Sequence, residues 1–220
     1  AIHKKIKKQY PGGVVLLAYY YHDNKMWVIL IKQKGIQLIP LGVPVASINE
    51  LLKSFYFNIR CQLDSEDETR GRLAHISEQL SQELYSALIH PCVRFFDNAE
   101  LLYFVPYGVL FYVPFNTLYD GKKYLIEQYE IALLPSISML FRKLQSYKQE
   151  GMVIACSKGG KYPGTLLEAA KIAELFDCQL HQEEHATRDK LMIGKGGCFL
   201  HIAAHGMHRP DQPDFSFIEL

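Results

Sequence analysis

The run Cys198-Phe199-Leu200-His201-Ile202-Ala203-Ala204-His205-Gly206 delivers an imidazole at the end of an apolar stretch. Such a run, with no alternating polar face, fits a strand covered on both sides, so residues 198 to 204 read as a central strand of an α/β layer. In open α/β sheets, chemistry gathers just beyond the carboxyl ends of the strands. His205 falls at such an end. Histidine exchanges its proton near neutral pH and can serve as a general base and then as an acid. Gly206, with no Cβ, lets the backbone turn and brings a bare N–H close to a bound molecule. Base and backbone donor read together as half of a catalytic pair, but no thiol or hydroxyl in a comparable position follows before Leu220.

Other residues invite chemistry less strongly. His201 lies inside the strand and is expected to hydrogen-bond within the core rather than touch a substrate. His201, His205 and His208 do not make a metal set, because four residues of strand separate the first two by about 13 Å. Cys156 follows an apolar run and precedes Gly159 and Gly160. It reads either as a thiol over a turn or as part of a phosphate cradle of backbone N–H groups. The spacing of a nucleotide-binding loop is missing, and a loop with a free thiol fits better. Asp211 and Asp214 follow His205 in a Pro-rich segment; Asp211 is kept as a weak candidate for binding a basic substrate side chain. No cofactor and no metal are expected.

The elements that must hold His205 in place are bounded by composition. A chain of 220 residues buries about 70% of its unfolded surface, enough for one large domain or one with a satellite layer. Apolar residues make up 49% and charged ones 21%, with a formal net charge of +1. That balance supplies no field for nucleic acid. The longest apolar runs, Val14 to Tyr21 and Met26 to Ile31, fall well short of the ~20 residues of a membrane-spanning helix. Nothing marks a secretory leader. Five scattered cysteines, Cys61, Cys92, Cys156, Cys178 and Cys198, read as reduced thiols used as small core residues. A cytoplasmic setting is expected, with no membrane partner. Lys4, Lys5, Lys7 and Lys8 read as a solvated end of a preceding element. The first residue, Ala1, and the strand-like ending Phe215 to Leu220 read as a segment of something longer.

Along the chain, residues 14 to 21, 26 to 31 and 36 to 39 form an antiparallel meander. Helical spacing follows over Val45 to Ile59 and again through Leu73, Ile76, Leu80, Leu84 and Leu88, up to Pro91. Tyr19, Tyr20 and Tyr21 suit half-buried strand packing or a contact surface. Residues 1–95 thus read as a meander with helices. From residue 96 the pattern becomes strands at 101 to 105, 109 to 113 and 124 to 134, then a helix capped by Ser136 and running through Tyr147. A strand at 151 to 156 precedes a helix opened by the capping box of Thr165 and Glu168. A short strand at Cys178 to His181, a helix from Thr187 to Ile193 and the His205 strand complete residues 96–220. Strands alternating with helices imply an α/β chain whose mostly parallel sheet is covered on both faces.

Several segments, in order, resemble the CHAT family of caspase-like and separase-related cysteine peptidases. They are Leu101 to Gly108, Val113 to Leu118, Tyr124 to Glu127, Leu134-Pro135-Ser136, Tyr162-Pro163-Gly164 with Glu168-Ala169, Ala186-Thr187, and Leu200 to Gly206. The resemblance implies a caspase-like αβα sandwich preceded by the meander. It casts His205 as the catalytic histidine and Gly206 N–H as an oxyanion donor. It further implies an endopeptidase acting on protein substrates, activated by a partner protein or by its own tetratricopeptide-like repeats. Its nucleophile would be a cysteine encoded after residue 220, so this segment alone is expected to be inactive. Tyr107 departs from the family's usual Asp, at a position read as a structural turn. The other reading is a caspase-like fold kept as a non-catalytic protein-interaction module.

Overall fold

Three runs rich in β-branched and aromatic residues form the antiparallel meander: β1 (Val14–His22), β2 (Lys25–Lys32) and β3 (Gly35–Leu41). Asp23 and Asn24 join β1 to β2 with φ of 47° and 61°, the left-handed pair that a two-residue hairpin demands and that Asp and Asn tolerate. The computed structural model describes residues 13–33, 35–141, 151–193, 199–209 and 212–220. Lys4, Lys5, Lys7, Lys8, Cys198 and Asp211 lie outside the described residues.

Two compact units, Ala1–Arg142 and Lys143–Leu220, make up the chain. In the first, helices α1 (Val45–Leu63) and α2 (Asp67–Leu88) lie against the meander. Strand β4 (Leu101–Val105) then runs parallel to β1, and β5 (Glu130–Leu133) parallel to β4, giving the order β3-β2-β1-β4-β5. The sequence divides in composition near residue 95, yet strands on either side of that point share this sheet. One sheet face buries Leu17, Tyr19, Leu102 and Phe104 against Ile48 and Leu52 of α1 and Leu84 and Leu88 of α2. Each such side chain contributes roughly 1.5–3 kcal/mol.

The stripe along α2 differs from the expected one. Leu84 and Leu88 are buried, but Ile76 is exposed, and Ser77 and Ser81 take the inward positions in the middle of the helix. Polar groups satisfy one another there: Gln62 donates to Asn58 Oδ1 at 3.0 Å and Ser77 Oγ at 2.7 Å, and Ser81 donates to Thr117 O. Residues 109 to 113 are not a strand. Gly108 takes φ +56°, in the left-handed region, and the chain coils into a 3-10 turn over Gly108–Tyr112. The expected strand 124 to 134 is likewise split, because the Glu127 carboxylate accepts the Tyr124 N–H at 2.7 Å and closes a 3-10 turn over Leu125–Glu127, leaving only β5 extended. After Ser136, described residues show a 3-10 turn at Ile137–Phe141; the remainder of the expected helix lies outside them.

The second unit is a three-stranded parallel sheet, β6 (Met152–Ala155), β7 (Gln179–Gln182) and β8 (Leu200–Ala203), in the order β7-β6-β8. Helix α3 (Pro163–Phe176) covers one face through Ala169 and Ala173 against Val153, Ala155 and Ala203. Helix α4 (Arg188–Ile193) lies on the other, where Leu191 packs with Met152, Ile154 and Ala186. That is the expected αβα layering, but its fully buried central strand is β6. The His205 strand, expected to be central over residues 198 to 204, is the outer strand of the described sheet, extends over Leu200–Ala203 and leaves Leu200 exposed. A two-stranded ribbon, β9 (Gly206–Met207) with β10 (Phe217–Ile218), follows β8. Four of the seven strand pairings among the described residues are parallel, and the antiparallel meander precedes them.

Candidate functional site

Parallel pairing of β6 with β8 brings their carboxyl ends side by side, and the Cys156 N–H donates to Ala203 O at 3.1 Å. Two segments therefore leave the sheet at one rim: the loop 156–162 and the segment carrying His205. The imidazole is exposed and stacks on the Tyr162 ring, with centroids 4.7 Å apart and planes 16° from parallel. The Lys161 ammonium lies 5.3 Å from the centre of the same ring, a cation–π contact.

Gly206 opens β9 with a φ outside the left-handed region, so it provides no sharp turn. Its missing Cβ permits close passage instead, since a Cβ there would meet Phe217 O at 3.3 Å. Glu219 N–H donates to His205 O at 2.8 Å, while Gly206 faces Ile218 and Met207 faces Phe217. Hydrogen-bonded and non-bonded pairs alternate along an antiparallel ladder. His205 and Glu219 form a bonded pair, so Gly206 stands in a non-bonded one, with its N–H turned away from β10.

Facing residues of a bonded pair present their side chains on the same side, which puts the Glu219 carboxylate beside the imidazole. Lys158 Nζ binds Glu219 Oε1 at 2.6 Å. That hydrogen bond, with the charges of Lys158, His205 and Lys161, outweighs desolvation and holds the Glu219 carboxyl below its usual range. The same bond raises the Lys158 ammonium. Glu219 Oε2 is shielded and takes no hydrogen bond among the described residues.

The loop itself is fixed from below. Lys158, Gly159 and Gly160 take φ of 55°, 65° and 85° in succession, a bend in which glycine costs little. Buried Ser157 donates through its hydroxyl to Glu183 Oε1 and through its N–H to Oε2 at 3.4 Å, while Gly160 N–H donates to Ser157 Oγ at 2.8 Å. Two of the N–H groups that a phosphate cradle would use, those of Ser157 and Gly160, are thus already taken by Glu183 and by Ser157 Oγ. Magnesium-nucleotide is accordingly expected to leave the melting temperature unchanged in a thermal-shift titration; a saturable rise would show that the loop can release Glu183. Glu183→Ala strips the acceptor from a hydroxyl whose residue is only 1% exposed. It is expected to cost about 1–3 kcal/mol, read as a lower urea midpoint.

The remaining candidates separate. His201 Nε2 pairs with Glu168 Oε1 of α3 at 2.9 Å, on a half-exposed face rather than in the core. Glu168 is thereby drawn away from the expected capping box; α3 begins two residues before Thr165, whose hydroxyl donates to Tyr162 O at 2.8 Å and lies 3.1 Å from Cys156 O. His208 lies by Ser216 Oγ at 3.4 Å, so the three histidines serve three different partners. The Cys156 thiol donates to Glu183 Oε2 at 3.8 Å and belongs to the loop's anchor. Burial pushes the Cys92 thiol up to about 12, the opposite of what a nucleophile needs. Tyr107 packs against the rings of Tyr20 and Tyr21, each at 5.1 Å, while Tyr19 is buried with its hydroxyl on Leu88 O.

Lys158, Tyr162 and Glu219 were not legible as site residues. Tyr162 opens a turn-like Tyr-Pro-Gly and Lys158 precedes two glycines, but their contact with the His205 segment depends on β6 and β8 being neighbours. The family model of the CHAT domain matches residues 78–220, more than half of the chain. A search of curated proteins found no match.

Proposed function

The chain belongs to the CHAT domain family, a caspase-like, peptidase-related module, and from that premise we propose that it carries the general base of a cysteine endopeptidase. The observation that carries this reading is the pairing of an exposed imidazole at the carboxyl end of β8 with a following N–H that faces away from its ribbon. The substrate is a protein chain. In this reading His205 takes the proton of a cysteine thiol, and the thiolate attacks the scissile carbonyl. Gly206 N–H receives the developing oxyanion, a contribution of roughly 3 kcal/mol for a well-placed donor. The imidazolium then returns its proton to the leaving amine.

Cys156 serves the loop anchor and Cys92 the core, and the family resemblance implies a nucleophilic cysteine on a segment encoded after residue 220. The test is cleavage of an unfolded protein by the full-length protein and by its His205→Ala variant. Loss of cleavage in the variant supports the reading. Equal cleavage by both removes His205 from the chemistry, and cleavage by neither favours a caspase-like interaction module.

A further inference from the structure

One loop meets the His205 segment and its ribbon partner at two points. Tyr162 stacks on the imidazole, and Lys158, four residues earlier, grips the carboxylate of Glu219, the residue bonded directly across the ribbon from His205. The loop is in turn fixed to the sheet by Ser157 on Glu183. Imidazole and ammonium both act on the Glu219 carboxylate, beside a loop that is anchored to the sheet through Ser157. An ion pair with one member as exposed as Lys158 adds little stability by itself, so holding geometry is the stronger account of its place beside the histidine.

The geometry points to Lys158 and Glu219 as a positioning pair for His205, a clamp that fixes the imidazole's orientation against Tyr162 and sets the charge beside it. This rests on the reading of His205 as the general base. The charged and titratable groups facing the imidazole and the carboxylate are Lys158, Lys161 and Tyr162 from the loop and Glu219 from the ribbon. Lys158→Met leaves a bare carboxylate beside the imidazole and favours the imidazolium. Glu219→Gln leaves two ammonium groups nearby and disfavours it. The two halves of one ion pair must then act in opposite directions.

In the full-length protein, Lys158→Met, Glu219→Gln, Lys158→Arg and His205→Ala are compared on an unfolded protein substrate. Alongside, the rate at which diethyl pyrocarbonate modifies His205 is followed by mass spectrometry, with His201 as internal reference. The Met and Gln variants are expected to lose about tenfold in kcat with KM little changed, as misoriented catalytic groups do, while Lys158→Arg retains most of the rate. The acidic limb of the pH–rate profile moves to higher pH in Lys158→Met and to lower pH in Glu219→Gln. Measured at a pH above the acidic limb of every variant, where the ring is neutral throughout and only its release from the clamp is read, modification of His205 quickens in both, and that of His201 does not. Parental kcat, profile and modification rate in both variants, with His205→Ala inactive, would overturn the clamp and leave the peptidase reading intact. If His205→Ala cleaves like the parent, the peptidase reading falls and the modification rates alone decide the clamp.

Discussion

Replacing His205 by alanine in the full-length protein is expected to lower kcat/KM on protein substrates by about 10²–10⁴-fold, the range over which a positioned general acid–base group acts. The expectation rests on what the imidazole touches. It is exposed at the rim of the sheet, and its described side-chain contact is the face of Tyr162. Its removal opens no buried cavity. The backbone carbonyl of residue 205 still accepts the Glu219 N–H, and the strand pairing of β9 with β10 is untouched. Surface substitutions of this kind usually change stability by no more than about 0.5 kcal/mol. The variant should unfold in urea near the parental midpoint while losing nearly all cleavage. A residual rate above the uncatalysed one is compatible with the mechanism, since backbone donors and substrate binding persist. A variant that is inactive because it is unfolded would show in the same urea curve.

Legibility in the sequence followed how local the cause of each feature is. The meander was legible because runs of β-branched and aromatic residues and the polar turn at Asp23-Asn24 are written in neighbouring residues. The αβα layer of the second unit was legible from the apolar β6 segment, which is covered on both faces, whereas the equally apolar β8 lies at the outer position of the described sheet. What failed was decided by partners distant in sequence. Residues 109 to 113 have the composition of a strand, yet Gly108 turns them into a 3-10 coil against Tyr21, whose hydroxyl accepts the Val109 N–H. The capping box at Thr165 lost Glu168 to His201, 33 residues away. The inward serines of α2 escape any hydrophobic periodicity, because Ser77 and Ser81 are buried by finding Asn58, Gln62 and Thr117. At the candidate site the same division holds. His205 and Gly206 stand out by type and order. Tyr162, Lys158 and Glu219 join them only once two strands and a ribbon are paired.

Phe104→Ala is expected to destabilise the protein by about 3–5 kcal/mol, the cost of truncating a fully buried phenylalanine. Phe104 lies in Leu101 to Gly108, one of the ordered segments that carry the family resemblance, and its role is packing. It is completely buried, stacks on Phe115 with centroids 4.2 Å apart and planes at 18°, and lies 6.4 Å from Tyr19. Its strand is the joint between the meander and β5, pairing Leu17 on one side and Leu133 on the other. The neighbouring rings are themselves pinned, since the Tyr19 hydroxyl donates to Leu88 O at 3.1 Å, so the site has little freedom to collapse and the cavity persists. Against a typical total of about 5–15 kcal/mol, the loss is large, and with a urea dependence near the upper end of the usual range for a chain of this size, about 2–3 kcal/mol per molar, the midpoint should fall by about 1–2.5 M. Phe104→Leu, which restores most of the volume, should recover much of it. The two substitutions are expected to part: Phe104→Ala lowers stability at a residue buried in the core, while His205→Ala, on the reading of His205 as the general base, lowers turnover at an exposed residue with little change in stability. A Phe104→Ala protein that unfolds at the parental urea concentration would mean that β4 is not the joint its pairings describe.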